Sequence, residues 1–299
     1  MARSDESTYV ARIGEVYPDL AIRSTRLHNF AEGQFNAILF VNETAETETL
    51  VFRFPRVEAA LKDLPDEIYL LTGLQGYTTL PVPNPTFVSP ELRVMGKAFM
   101  GYSMLPGTPL WEESVHAMTD EVKLDHLAWQ LALFLKELHN LDTEAIGLHI
   151  PVDDPQQSWL DMYQAFQTHL FPHMRRDTCA WVTQNFDIFF NDATNFSYQP
   201  VLCHTDFGGS NILFDKATCT VTGVIDWAGA TLSDPAIDVA AILNMGEGFF
   251  ARMVNTYPAM ADMVSRTHFF RSTYILQEAL NALHDGDTTL FASAIAHYQ

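Results

Sequence analysis

Cysteine is scarce and unpatterned: the 299 residues hold only Cys179, Cys203 and Cys219, an odd number without a CxxC spacing. Neither a disulfide framework nor a zinc ribbon is indicated, and the three thiols read as small core residues in a reducing compartment. Positive charge is also short. Lys and Arg number 17 against 37 Asp and Glu, a net charge of −20, and no basic run exists that could follow a phosphate backbone. That argues against a nucleic-acid partner. No apolar stretch reaches the ~18 residues of a membrane span, and the first twenty residues lack the apolar segment of a signal peptide, so a cytoplasmic protein without a membrane partner is expected. The GxxxxGK[ST], HExxH and GxSxG patterns are missing as well, which sets aside P-loop ATPases, zincins and α/β-hydrolases.

What remains is the composition of a globular enzyme, 47% hydrophobic and 18% charged, long enough for about two domains or lobes. So acidic a molecule attracts small cations and raises their encounter rate, which points to a cationic small-molecule partner.

Chemistry concentrates in residues 199–238, QPVLCHTDFGGSNILFDKATCTVTGVIDWAGATLSDPAID. After the apolar run Val201–Cys203 come His204, Asp206 and Asn211 in the spacing His-x-Asp-x-x-x-x-Asn, with Gly208 and Gly209 allowing a tight turn between them. Ile212–Phe214 and Thr220–Ile225, separated by the polar turn Asp215–Thr218, predict a β-hairpin. Antiparallel pairing would bring Asn211, before the first strand, beside Asp226, after the second. Two carboxylates and a carboxamide at one open sheet end form an all-oxygen site suited to Mg²⁺, with one carboxylate free to accept a proton from a hydroxyl. Such a set fits phosphoryl transfer, in which a protein mainly positions groups and neutralises charge.

The matched residues His204, Asp206, Asn211 and Asp226, continued by Asp234-Pro235 and Asp238, resemble the catalytic and metal-binding loops of the aminoglycoside phosphotransferase family, small-molecule kinases distantly related to the protein kinases. The resemblance implies that Asp206 orients or deprotonates the acceptor hydroxyl, that Asn211 and Asp226 hold Mg²⁺, and that His204 braces the loop.

Upstream, Ile22–His28, Ala37–Val41 and Leu50–Phe54 read as three strands of an antiparallel sheet. By the resemblance, Gly33 in the first turn lets backbone N–H groups approach the nucleotide phosphates. Arg53 on the third strand takes the place of the family's usual lysine against those phosphates, and Glu67, in a helix predicted over Pro65–Leu74, pairs with it. A strand pair is expected at Arg93–Met95 and Ala98–Met104, and the resemblance places nucleotide-base recognition on the backbone of Ser103, Met104 and Leu105. Beyond it the chain turns helical, with Thr119 as the expected N-cap of a long core helix. Asp153, Asp154, Asp161 and Glu278 could meet the amines of a polycationic acceptor; each would look the same as a solvated surface acid.

The expected fold is therefore α+β and two-lobed, protein-kinase-like: a small antiparallel β-sheet N-lobe for nucleotide over residues 1–103, and a mainly helical C-lobe over 104–299 carrying the catalytic loop and acceptor pocket. The expected activity is Mg²⁺-dependent transfer of the γ-phosphate of ATP or GTP to a hydroxyl of a small molecule, an aminoglycoside first. A kinase for another small alcohol (macrolide, choline-like or sugar metabolite), a catalytically inactive nucleotide-binding relative, and a hydrolytic metal site at His204, Asp206 and Asp226 are the alternatives.

Overall fold

The structure, a computed structural model, describes residues 6–27, 35–42, 48–150 and 154–299. In chain order its strands are β1 (Thr25–Leu27), β2 (Asn36–Val41), β3 (Leu50–Pro55), β4 (Phe87–Val88), β5 (Met100–Ser103), β6 (Thr108–Pro109), β7 (Val201–Cys203), β8 (Ile212–Asp215), β9 (Thr220–Val224) and β10 (Thr231–Ser233). Its helices are α1 (Glu6–Val16), α2 (Glu58–Leu74), α3 (Glu112–His116), α4 (Glu121–His139), α5 (Pro155–Ala165), α6 (Arg176–Asn191), α7 (Ala236–Ile242), α8 (Glu247–Thr256), α9 (Val264–Asp285) and α10 (Thr288–Ile295). Among the described residues no helix is long and apolar enough to cross a membrane. The chain divides into two compact units. One comprises the residues up to Pro109 together with Glu144–Leu148 and Asn211–Gly229, and the other the remainder.

The first unit is built on an antiparallel sheet of order β1-β2-β3-β5-β4. β2 alternates half-buried and buried positions and β3 is buried throughout, as expected of a strand central to a covered sheet. Tyr9 and Ile13 of α1 pack with Leu39, Phe52, Phe54 and Phe99, and each such apolar side chain gains roughly 1.5–3 kcal/mol on burial. Gly101 is required in β5 because a Cβ there would lie 2.6 Å from the Phe52 ring. The predicted strand at Arg93–Met95 is a turn instead, closed by Ala98 N–H donating to Val94 O at 3.0 Å and by Glu91, whose carboxylate takes Arg12 and Lys97 at 2.6 Å each. β5 finds its partners in β3 and β4. The strand predicted from Ile22 begins only at Thr25. α2 begins at Glu58, about two turns before the Pro65 expected to open it, and carries that proline in its interior. Leu61, Leu64, Leu70, Leu71 and Leu74 are all buried along it, and packing of that stripe outweighs the hydrogen bond the proline removes. β6, β8 and β9 form a second small sheet in this unit.

The other unit is mainly helical. α4 is capped by Asp120, whose Oδ1 accepts from Val122 N–H at 3.0 Å and Lys123 N–H at 3.2 Å. The cap thus falls one residue after the expected Thr119. Leu127, Leu131, Phe134, Leu135 and Leu138 give α4 its fully buried stripe. Much of the aromatic wealth of residues 155–200 packs inward, Trp181 being the exposed exception: Phe189 stacks on Phe269 at 3.7 Å and Trp159 on Phe270 at 5.1 Å, which fixes α5 and α6 against α9. In this unit β7 pairs with β10, so the strand that leads to Asp206 is anchored before the loop begins.

Candidate active site

In the first unit, β8 and β9 form the expected hairpin, in register Ile212↔Val224 with a bulge at Leu213/Phe214. Its turn is closed by Asp215, whose carboxylate accepts from Ala217 N–H at 2.7 Å, an Asx-type turn. At the open end Ile225 N–H donates to Asn211 O at 2.9 Å, so Asn211 and Asp226 stand at the same end of the ladder. Asp226 adopts φ 65°. The next residue, Trp227, is fully buried with its indole N–H on Val224 O at 2.9 Å, and so holds Asp226 out towards solvent.

Arg53 reaches the same place from β3. Its Nη1 donates to Glu67 Oε1 of α2 at 2.5 Å and its Nη2 to Asp226 Oδ1 at 3.3 Å. Arg53 and Glu67 are buried at 6% and 5% exposure, whereas the Asp226 side chain is 53% exposed. Burial alone would lower the Arg53 pKa, but Glu67, then Tyr102 and Asp226, outweigh it and hold the guanidinium above its ordinary value. Burial pushes the Glu67 carboxyl up, and Arg53 opposes the shift. The fork of an arginine, with two usable faces, permits this double contact where a lysine would offer a single point charge. Ser103 ends β5, Met104 donates its N–H to Thr49 O at 2.8 Å, and Leu105 packs where Gly223 lacks a Cβ. Gly33 and Asp153 lie outside the described residues.

In the helical unit, Asp206 sits on the loop after β7 and is exposed. The loop is fastened from below by Asp238 of α7, fully buried, which accepts His204 N–H at 2.9 Å and Thr205 N–H at 2.7 Å. His139 Nε2 of α4 lies 3.1 Å from the same carboxylate, and its Nδ1 3.3 Å from the Tyr257 hydroxyl. A carboxylate only accepts, so Nε2 carries a proton towards Asp238. His204 is buried, and its Nδ1 accepts the Asp206 N–H at 3.3 Å, a bracing contact with the backbone of the catalytic candidate. Phe207, buried against Phe134 at 5.6 Å, plugs the loop into the core. Gly209 passes so close to the Leu110 carbonyl that a Cβ would lie 2.2 Å from its oxygen.

Among the described residues, the cluster with ligand atoms close enough for a metal is His139, Cys203 and Asp238, all buried. The Asp238 oxygens are already taken by two N–H groups and His139, and burial raises the Cys203 thiol well above its ordinary value, so the cluster is an anchor for the loop. Of the acids proposed to meet an amine, Asp154 is the N-cap of α5, accepting from Gln156 and Gln157 N–H. Asp161 accepts from Gln157 Nε2 at 2.8 Å, and Glu278 is exposed on α9. His139, Tyr102 and Tyr257 carried no sequence signal for their places here, since no motif or spacing ties them to the loop.

A model of the phosphotransferase enzyme family matches residues 26–269. Viomycin phosphotransferase of Streptomyces vinaceus is 27% identical over 275 residues, covering 90% of this chain and 91% of the relative. Among solved structures, the GDP and kanamycin complex of APH(2")-IIia superposes with a TM-score of 0.85 at 26% identity, covering 97% of this chain and 96% of that one. The GDP complex of aminoglycoside 2'-phosphotransferase-IIIa gives a TM-score of 0.85 at 25% identity, covering 98% and 97%. The antiparallel sheet unit and the helical unit are those of a protein-kinase-like α+β fold, and the chain belongs to the phosphotransferase enzyme family.

Proposed function

We propose that the protein transfers the γ-phosphate of a nucleoside triphosphate, ATP or GTP, to a hydroxyl of a small molecule in the cytoplasm, with an aminoglycoside as the first acceptor class. The observation that carries this reading is the grouping of Asn211, Asp226 and the Arg53–Glu67 pair at one hairpin end. The carboxamide and carboxylate oxygens there are hard donors of the kind magnesium prefers, so Asn211 and Asp226 would hold Mg²⁺. When bound, the ion supplies charge neutralisation at the phosphate oxygens. Arg53, kept charged and aimed by Glu67, neutralises phosphate oxygens as well. The backbone of Ser103, Met104 and Leu105 receives the base, and that of Gly33 the phosphates.

Asp206, its backbone fixed through His204 and Asp238, accepts the hydroxyl proton as the acceptor oxygen bonds to the γ-phosphorus. The bond from that phosphorus to the bridging oxygen breaks, and the nucleoside diphosphate leaves. The aminoglycoside class is supported by kanamycin in the 26%-identical neighbour and by the net charge of −20. Glu278 remains an acid free to meet an amine, whereas Asp154 and Asp161 are engaged within α5. Mass spectrometry of candidate antibiotics incubated with the protein, Mg²⁺ and each triphosphate should find one added phosphate. Asp206→Ala should remove that product while nucleotide still binds; an unchanged yield from Asp206→Ala would reject Asp206 as the base.

A further inference from the structure

Trp159, Tyr198, Phe270 and Tyr274 wall a pocket of ≈ 280 Å³ in the helical unit. Sites for whole drug-sized ligands run to roughly 300–1,000 Å³, so this one matches a single substituted ring. Thr205, directly before Asp206, belongs to its wall, and Tyr274 is close enough that its hydroxyl, pushed up first by burial, is raised further by Asp238 and Asp206. A ring in this pocket therefore lies beside the candidate base.

The lining is electrically neutral. Among the described residues Asp234 is the wall's one carboxylate, and it is 1% exposed. Arg266 holds it with Nε at 2.6 Å and Nη2 at 3.2 Å, and Ala236 N–H donates to it at 2.9 Å. The other polar side chains of the wall carry hydroxyls, Ser158, Tyr198, Thr205, Thr231, Ser233 and Tyr274, or, at Gln277, a carboxamide. Away from the mouth at Asp206, an ammonium group entering would shed water without meeting an unpaired carboxylate in the wall. The aromatic faces offer it little in exchange, since Trp159 is stacked on Phe270 and Arg266 already lies 5.5 Å over the Tyr198 ring. Hydroxyls beside aromatic walls suit an uncharged polyol ring.

We propose that this pocket seats an uncharged, hydroxyl-bearing ring of the acceptor, with one hydroxyl turned to Asp206, and that any ammonium groups of the acceptor stay outside it. The proposal rests on Asp206 as the base, and its test separates the two. Saturation-transfer NMR titrations of the full chain use methyl α-glucopyranoside and its 2-amino-2-deoxy analogue at ~pH 6, where the amine is protonated; the pair differs by one hydroxyl for one ammonium. The neutral ring should bind at least about fivefold more tightly. Ser158→Phe, an exposed position on α5 whose new ring would fill the pocket, should remove the signal without disturbing the core, and Gln277→Glu should reverse the preference. Equal or tighter binding of the amino ring by the natural protein, no saturation transfer to either ring, or an unchanged signal in Ser158→Phe would overturn the proposal. If Asp206→Ala keeps the ring signal and phosphate transfer is undetectable with every acceptor in either protein, the base reading fails and the pocket reading stands.

Discussion

Replacing Glu67 by alanine probes the contact on which the proposed nucleotide side of the site depends. At the surface an ion pair contributes about 0–1 kcal/mol, because water screens it and the side chains lose freedom in forming it. Arg53 and Glu67 are in another regime, 6% and 5% exposed and 2.5 Å apart. Taking the carboxylate away strands a guanidinium that water does not reach, and breaking a buried pair from one side costs about 3–5 kcal/mol. Asp226 remains 3.3 Å from Nη2 and relieves part of that cost, so the expected loss lies at the lower end, about 3 kcal/mol. At roughly 2–4 °C per kcal/mol for a chain of this size, calorimetry should show the affected transition falling by about 6–12 °C. The double variant Arg53→Met, Glu67→Leu supplies the control. It fills the same space with apolar atoms and should recover most of the lost stability, yet its phosphotransfer should stay at background because no cation faces the phosphates. If the single variant melts within about 2 °C of the natural protein, or if the double variant is no more stable than the single, burial does not make the Arg53–Glu67 pair costly to break.

Further outcomes follow from the loop and its anchor. Gly209→Ala should lower kcat at least about tenfold, since a Cβ would meet the Leu110 carbonyl at 2.2 Å, whereas Gly208→Ala, with nothing nearer than 3.8 Å, should stay within about twofold; steady-state kinetics on both variants compares them directly. Asp238→Ala leaves the His204 and Thr205 N–H groups without their acceptor at about 1–3 kcal/mol each, so both the melting temperature and kcat should drop, and a normal kcat would exclude Asp238 as the loop's anchor. Burial, helped by Cys203 and Asp238, pushes the Tyr257 hydroxyl up to about 12. Because the folded value is the higher one, its contribution to stability is complete below ~10, the ordinary value for a free tyrosine, and is lost as pH rises towards 12. Denaturation followed across that window should fall less steeply for Tyr257→Phe than for the natural chain, and identical slopes would contradict the assignment.

The hairpin could be read from the sequence because every local signal agreed: β-rich runs of the right length, turn formers between them, and polar residues just outside each end. Antiparallel pairing then leaves little choice but to set Asn211 beside Asp226. The support beneath Asp206 could not be read in the same way. His139 and Asp238 are 99 residues apart, and only the closing of α4 and α7 around the loop makes the histidine polar machinery and not one more buried position. Asp154 and Asp161 were illegible for the opposite reason. A carboxylate that caps its own helix and one that awaits a ligand have the same letter in the sequence, and only the hydrogen bonds to Gln156 and Gln157 tell them apart. Pro65 misled because proline at a first turn and proline tolerated inside a packed helix differ only in what the preceding residues bury.

Four described residues other than glycine have positive φ, and their placement separates ordinary turns from the site. Asn42 and Cys219 sit in turns; Asn42 steadies itself by accepting Arg23 N–H at 2.7 Å and donating to Ala21 O at 2.8 Å. Thr205, at φ 69°, and Asp226, at φ 65°, are different. A β-branched residue in the left-handed region is strained by about 1–3 kcal/mol and persists only where its surroundings over-determine it. The surroundings are visible in both cases: Asp238 grips the backbone N–H groups of His204 and Thr205 at 2.9 and 2.7 Å, and the buried Trp227 indole pins the backbone that carries Asp226. Local preference is thus overruled at Thr205, the residue preceding Asp206, while at Asp226 a conformation that aspartate tolerates is locked in place, each time by a neighbour with no freedom to yield. Such rigidity suits the roles proposed for Asp206 and Asp226, since phosphoryl transfer asks a protein mainly for placement and charge.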